Sequence, residues 1–273
     1  MDPKDLIKAG RLSEARNQLV QEVKSSPGDL GKRTLLFQAL CFCGEWTRAE
    51  QHLEAIVVQD AKKESGVQVY RNLVQAEKER LGAIRLERRP SFLPATPPYA
   101  EMWFDAQTKV REEKFNEASE LFDRIDAQLP ALSGTVNGRS FVGFRDTDTF
   151  LSLFLEVLVH DRYVWIPLDS VRELSISPPN SLFDLLWIHA QVTTWEGLML
   201  SCYLSVLYPE SFTHEDERIR LGRMTDWKSL GGPFSKGMGQ HVYEIGDQEE
   251  ALLEIREVQF TSSEKVGGDE KTD

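Results

Sequence analysis

The chain is short of cysteine, histidine pairs and positive charge, and each shortage excludes something. Its three cysteines, Cys41, Cys43 and Cys202, form an odd and sparse set. Such a set suits a reducing cytoplasm and argues against a disulfide framework. Cys41 and Cys43 stand two apart on an expected helix, on different faces, so packing is their reading rather than a shared metal. None of the five histidines, His52, His160, His189, His214 and His241, stands at a zinc spacing from Cys, His or a carboxylate. The net charge of -12 disfavours nucleic-acid backbones and anionic membrane surfaces as main partners, since both require a basic footprint. The longest apolar stretch, 150–159, is interrupted by Ser152 and Glu156 and falls far below the roughly 20 residues of a spanning helix. The opening Met1-Asp2-Pro3-Lys4-Asp5 has no basic region followed by an apolar run, so no secretory leader is expected.

Catalytic signatures are missing too. There is no G-x-S-x-G elbow, and the glycine-rich stretch 231–239 lacks the GxxxxGK[ST] spacing of a phosphate loop. It reads as a turn-rich loop. Asp146, Asp148 and Glu156 could supply paired carboxylates, although turn residues and solvated charges are the default reading. An enzymatic function requires Asp146, Asp148, His189 and His241 to converge in space. No cofactor is called for.

What is present is an internal repeat. The segments Gly10-Arg11-Leu12-Ser13-Glu14-Ala15, Gly44-Glu45-Trp46-Thr47-Arg48-Ala49 and Glu113-Lys114-Phe115-Asn116-Glu117-Ala118 share a pattern. In each, Ala follows a Gly or Glu by five residues, and an apolar residue (Leu19, Leu53, Phe122) follows four later. Ala15 and Ala49 lie 34 residues apart, the period of the tetratricopeptide helix-turn-helix repeat. The Gly, or a residue tolerating the same turn, closes one helix; the small Ala lets the next approach closely; the apolar residue buries on the same face. Helices are expected at 11–25, 30–43, 46–60, 64–83, 98–112 and 115–128, with Asp29 capping the second. Pro90, Pro94, Pro97 and Pro98 break the series at 88–98 as an extended linker or a docked loop.

Beyond Pro130 the texture changes to short β-type runs between turns. Asn137-Gly138 is a strong hairpin signal. Strands are expected at 141–144, at 150–159 paired with 162–167 around His160-Asp161, and at 172–176. Two further pairs are expected: 185–194 with 198–207 around Glu196-Gly197, and 240–245 with 251–260 around Gly246-Asp247. The run 151–159 reads equally as a buried helix. The expected fold is therefore α+β: tetratricopeptide-like helices over 1–130, a β-rich curled sheet or partial barrel over 135–260, and a disordered tail at 261–273. Trp and Tyr are enriched at binding hot spots, and Trp46, Trp103, Trp195 and Trp227 are the candidate partner contacts, Trp195 standing next to the Glu196-Gly197 turn. Core packing is the default for Trp165 and Trp187.

In order along the chain stand Ala9-Gly10-Arg11-Leu12-Ser13-Glu14-Ala15, Phe141-Val142-Gly143-Phe144-Arg145-Asp146-Thr147-Asp148 and Leu155-Glu156-Val157-Leu158. Tyr163-Val164-Trp165-Ile166-Pro167, Asp184-Leu185-Leu186-Trp187 and Leu207-Tyr208-Pro209 follow. Gly222-Arg223-Met224-Thr225-Asp226-Trp227 and Glu254-Ile255-Arg256-Glu257-Val258-Gln259-Phe260 complete the series. This succession resembles the ImpE/TagJ (SciE) family of accessory proteins of bacterial type VI secretion systems. One departure is visible: where relatives are expected to carry a proline after Trp187, this chain has Ile188-His189-Ala190. The resemblance implies a cytoplasmic, non-enzymatic accessory factor without a cofactor. It implies binding to the N-terminal segment of the small tail-sheath subunit and a link to the ClpV-type ATPase that recycles sheath. The alternatives are a general tetratricopeptide adaptor or chaperone for another partner, and a hydrolase in the second half.

Overall fold

The computed structural model describes residues 1–262. The helices of the first half are α1 (Pro3–Lys8), α2 (Leu12–Ser25), α3 (Leu30–Phe42), α4 (Trp46–Gln59) and α5 (Glu64–Ile84). A two-residue strand β1 (Ser91–Phe92) then precedes α6 (Ala100–Arg111) and α7 (Phe115–Asp126). The repeat pattern explains the pairing. Gly10, Gly44 and Glu113 all take positive φ, at 78°, 68° and 59°, which reverses the chain after α1, α3 and α6. Ala15, Ala49 and Ala118 are completely buried, letting α2, α4 and α7 pack against the helix before each. Asp29 caps α3 as expected, its Oδ1 accepting from the Lys32 amide at 3.0 Å. The short α1, begun by an Asp2 cap and Pro3, has too few residues for a periodic signal and was not expected.

The strands follow: β2 (Ser133–Val136), β3 (Arg139–Val142), β4 (Phe144–Asp146), β5 (Phe154–Val159), β6 (Arg162–Pro167), β7 (Val171–Ile176), β8 (Trp187–Thr194) and β9 (Met199–Ser205). After a one-turn helix α8 (Glu217–Arg220) come β10 (Thr225–Gly231), β11 (Phe234–Gly239), β12 (Val242–Ile245), β13 (Gln248–Ala251) and β14 (Glu257–Phe260). Nine of them form an open sheet in the order β1-β6-β5-β9-β8-β7-β14-β2-β3. It does not close into a barrel. The small β1 lies parallel to β6, and the other pairings are antiparallel. A second sheet runs β13-β12-β4, and β10 pairs with β11 in a separate ribbon.

Several expectations change here. The run at 151–159 resolves as strand β5, preceded by turns. The strand expected at 141–144 divides at Gly143, whose φ of 96° sends the chain from the large sheet into the second one. The closing pair is correct at its Gly246-Asp247 turn, where Ile245 faces Gln248, but β13 ends at Ala251. Leu252 and Ile255 bury there and redirect β14 into the large sheet between β7 and β2. The glycine-rich 231–239 is no loop: most of it is β11 and its turn. Gly237 is required by packing, since a Cβ there would stand 2.3 Å from the Tyr208 ring. The run Ile188-His189-Ala190 continues β8 without interruption. Of the tail expected at 261–273, residues 263–273 lie outside the described residues.

Element type changes between Asp126 and Ser133, but the hydrophobic core does not stop there. One continuous cluster runs from Leu6 to Phe260. The Pro-rich break is docked, with Phe92 of β1 between Phe104, Phe154 and Trp165 at 5.8–6.3 Å. The long α5 lies directly on β5 and β6.

Candidate functional site

Charged residues have been carried into the seam between α5 and the sheets. From α5 come Glu77 and Arg80; from β4 and the turn after it, Asp146 and Asp148; from β5, Glu156; from the entry to β12, His241. All six are at most 6% exposed. Arg80 is the hub. Its Nε and Nη2 donate to the two carboxylate oxygens of Glu156 at 3.0 and 2.6 Å, the planar fork geometry that favours Arg over Lys. The same Nη2 donates to the Leu207 carbonyl at 2.9 Å, and Nη1 lies 3.4 Å from Glu77. Glu77 Oε1 accepts from Trp187 Nε1 at 3.0 Å and Ser205 Oγ at 2.7 Å. The Tyr163 hydroxyl donates to Glu156.

A second cluster adjoins the first through His241. Its Nδ1 lies 2.7 Å from Asp146 Oδ2, and its Nε2 lies 3.3 Å from Glu156 Oε2. Asp146 Oδ1 accepts from the Tyr208 hydroxyl at 2.7 Å and from the Asp148 amide at 2.8 Å. Asp148 in turn accepts from the Phe150 and Gly237 amides at 2.7 and 2.8 Å. The backbone of His241 is fixed independently: its amide donates to Val206 and its carbonyl accepts from Leu252, both at 2.9 Å.

Burial opposes the charge on His241, but the Asp146 carboxylate beside it, with Glu156, overcomes this and holds its pKa up at about 9. Both ring nitrogens then donate, and the 3.2 Å approach of Arg80 Nη2 to Nε2 is a contact of two cations sharing Glu156. Burial also works against ionised Glu156, and Arg80 more than offsets it, bringing the carboxyl down to about 2. Asp148 has no cation of its own; burial, and then the Asp146 charge, push it up to about 7.

The signs follow by linkage. His241 contributes stability that is complete below its ordinary value of 6.5 and is lost as pH rises through about 9. Asp148, also raised, weakens the fold as pH rises from 3.8 to about 7. Glu156, lowered, contributes stability present above 4.5 and lost as pH falls through about 2. Urea unfolding is therefore expected to show stability falling by roughly 3 kcal/mol between pH 6 and pH 9 from His241 alone. In His241→Asn this limb should be missing. If the variant keeps it, His241 is not the titrating group.

Sequence reasoning named Asp146, Asp148, Glu156 and His241 without their geometry, and the structure brings those four together. His189 lies elsewhere, on β8, with Nε2 2.9 Å from Ser201 Oγ. Arg80, Glu77 and the tyrosines were missed. The assembly saturates its own donors and acceptors, and through Glu77 and Arg80 it ties α5 to the sheets. Among the described residues no cluster of three or more His, Cys, Asp or Glu could hold a metal ion. No helix among them is long and apolar enough to cross a membrane.

The four candidate tryptophans separate. Trp103 is 1% exposed, edge-on to Phe122 at 4.9 Å and to Phe154 at 5.4 Å. It is core, because α6 turns that face onto α7 and β5, and its place among the partner contacts is corrected accordingly. Trp46 is half-buried against Phe212 and Trp187. Trp195, at the β8–β9 turn, and Trp227, on β10, are 40% and 39% exposed.

Comparison with known proteins places this architecture. The family model described as ImpE protein matches residues 138–259, which contain Asp146, Asp148, Glu156 and His241. The chain is similar to the type VI secretion system accessory component TagJ of Pseudomonas aeruginosa. The two are 31% identical over 260 residues, covering 95% of this chain and 91% of the relative. Its fold is similar to the crystal structure of protein VPA1032 from Vibrio parahaemolyticus, with a TM-score of 0.87 at 21% identity, covering 95% and 97% of the two chains. Identity with TagJ extends through both the helices and the sheets, so the chain belongs to the ImpE/TagJ family of type VI secretion accessory proteins.

Proposed function

We propose that this chain is a non-catalytic, cytoplasmic adaptor that holds the small tail-sheath subunit by its N-terminal segment and links it to the ClpV-type ATPase. The observation that carries the reading is the similarity to TagJ along nearly the whole chain. The burial of the convergent acid–base cluster among the described residues supports it: a catalytic group must reach substrate, and Asp146, Asp148 and His241 are each 2% exposed. Stacked helix pairs offer the grooved surface on which adaptors take helical or extended peptides. Trp195 and Trp227 are the exposed aromatic contacts that this reading retains.

The test is co-purification of the intact chain with the small sheath subunit and with a version lacking its N-terminal segment. Retention of the first and loss of the second at micromolar concentration is the expected result. Equal recovery of both, or of neither, would defeat the sheath assignment. A three-component experiment with the ATPase then asks whether the adaptor raises its recovery on sheath subunit.

A further inference from the structure

A cleft of about 430 Å³ opens where α3, α4 and the first turns of α5 meet. Its floor is apolar: Leu53, Ile56 and Val67 are buried in the protein yet line the opening. Its wall is Tyr70 stacked on Phe183, with ring centroids 4.0 Å apart and planes at 20°. Phe183 belongs to the turn before β8, so the sheet half completes a cleft that the helices begin.

The rim is basic. Lys62 and Lys63 are both exposed at its edge. The ion pairs made by lysines among the described residues involve Lys32, Lys78, Lys109, Lys114 and Lys236 instead. Lys62 and Lys63 are the charged residues that line the cleft; of the carboxylates flanking them, Glu64 is turned to Arg71 at 2.8 Å, so within a chain of net charge -12 the lining itself carries only positive charge. The N-terminus of α5 at the same edge carries no side-chain cap and holds Glu64 in its first turn, so the two lysines, not the helix end, set the charge of the rim.

We propose that this cleft receives an amphipathic segment of a partner protein, with its apolar side chains on Leu53, Ile56 and Val67 and its carboxylates on Lys62 and Lys63. Apolar anchors at helical spacing with a charged flank are the usual content of such grooves, and opposite charge at the rim sets orientation and encounter rate. The proposal rests on the adaptor reading above and names the surface and the chemistry that it uses.

Gly66 supplies a clean block. It lies beside the cleft in α5, and no heavy atom stands within 4 Å of where a Cβ would be. The backbone there therefore accepts a side chain, and Gly66→Trp sets an indole at the edge of the cleft. The probe is a labelled N-terminal peptide of the small sheath subunit, titrated by fluorescence anisotropy against the intact chain, Gly66→Trp, and Lys62→Glu with Lys63→Glu. Circular dichroism and thermal unfolding check that each variant is folded. Wild type should bind, and Gly66→Trp should weaken binding at least about tenfold. The charge-reversed pair should weaken it by about tenfold at low salt, a difference that shrinks as ionic strength rises. If wild type binds and both folded variants bind equally well, the cleft is not the site and the adaptor reading survives. If wild type binds no peptide, both fall. If wild type sediments as a dimer that Gly66→Trp dissociates, the occupant is a second copy and the proposal is overturned.

Discussion

Replacing Arg80 with leucine is expected to lower the free energy of unfolding by about 3–5 kcal/mol, the range for removing one partner from a buried ion pair. The cause is not the lost attraction alone. Glu156 would keep its carboxylate buried at 4% exposure with only His241 and the Tyr163 hydroxyl for company, and Leu207 would lose its donor. Leucine also fails to fill the volume of the guanidinium. Arg80→Lys should fall between the two, keeping the charge but surrendering the two-pronged contact with Glu156. The double variant Arg80→Leu with Glu156→Gln should cost less than the sum of its parts by about 1–3 kcal/mol, because the charge of Glu156 is no longer stranded, although Glu77 still loses its cation. Urea denaturation of wild type, Arg80→Leu, Arg80→Lys, Glu156→Gln and the double variant reads all of this. A loss under about 1 kcal/mol in Arg80→Leu would mean that the seam is wetter than the contacts described.

Trp103→Ala should be as damaging, at about 3–5 kcal/mol, the range for truncating a buried aromatic. The indole stands between Phe122 of α7 and Phe154 of β5, so its loss opens a void where α6, α7 and the large sheet meet. Trp103→Phe preserves ring packing and should cost less than about 1.5 kcal/mol. Thermal unfolding separates the two variants. Peptide binding, corrected for the folded fraction, should be unchanged in both. The opposite outcome, a stable Trp103→Ala protein that has lost its partner, would return Trp103 to a binding surface.

The repeat was legible because it rests on local chemistry. A tight turn needs a residue that tolerates positive φ, and the residue five later must be small; Gly10, Gly44, Glu113 and their alanines meet both conditions. Hairpins around Asn137-Gly138, Glu196-Gly197 and Gly246-Asp247 were legible for the same reason. What could not be read depends on distant neighbours. The glycines of β11 resemble a loop until Tyr208 is seen lying against Gly237. The route of β14 is decided by Leu252 and Ile255, not by its own residues.

The charge network carried one signal that went unused. On α5 the buried positions run Val67, Leu73, Val74, Ala76, Glu77, Arg80, Ala83 and Ile84, at helical spacing. Glu77 and Arg80 therefore occupy the apolar stripe of their helix, three residues apart. Charges on that face must find partners inside the protein, and the sequence holds the requirement if not the identity of Glu156, Trp187 and Ser205. The tryptophans show the reverse. Trp195 stands beside the Glu196-Gly197 turn, a local sign of its exposure, whereas the burial of Trp103 follows only from how α6 meets α7 and β5.

The docking of α5 also bears on dissection of the molecule. A fragment ending near residue 130 would keep every helix of the first half, yet Arg80 and Glu77 would face water beside the bare apolar patch left by β5 and β6. Its complement would expose Trp165 and Phe154 together with unpaired Glu156. With one buried cluster running through both parts, neither piece is expected to fold alone, and heating or denaturant should melt the chain in a single cooperative step. Insertions at its exposed turns should cost little, whereas a cut between Asp126 and Ser133 should unfold both parts. For the same reason, helices transplanted from another member of the family would have to arrive with their own matching strands.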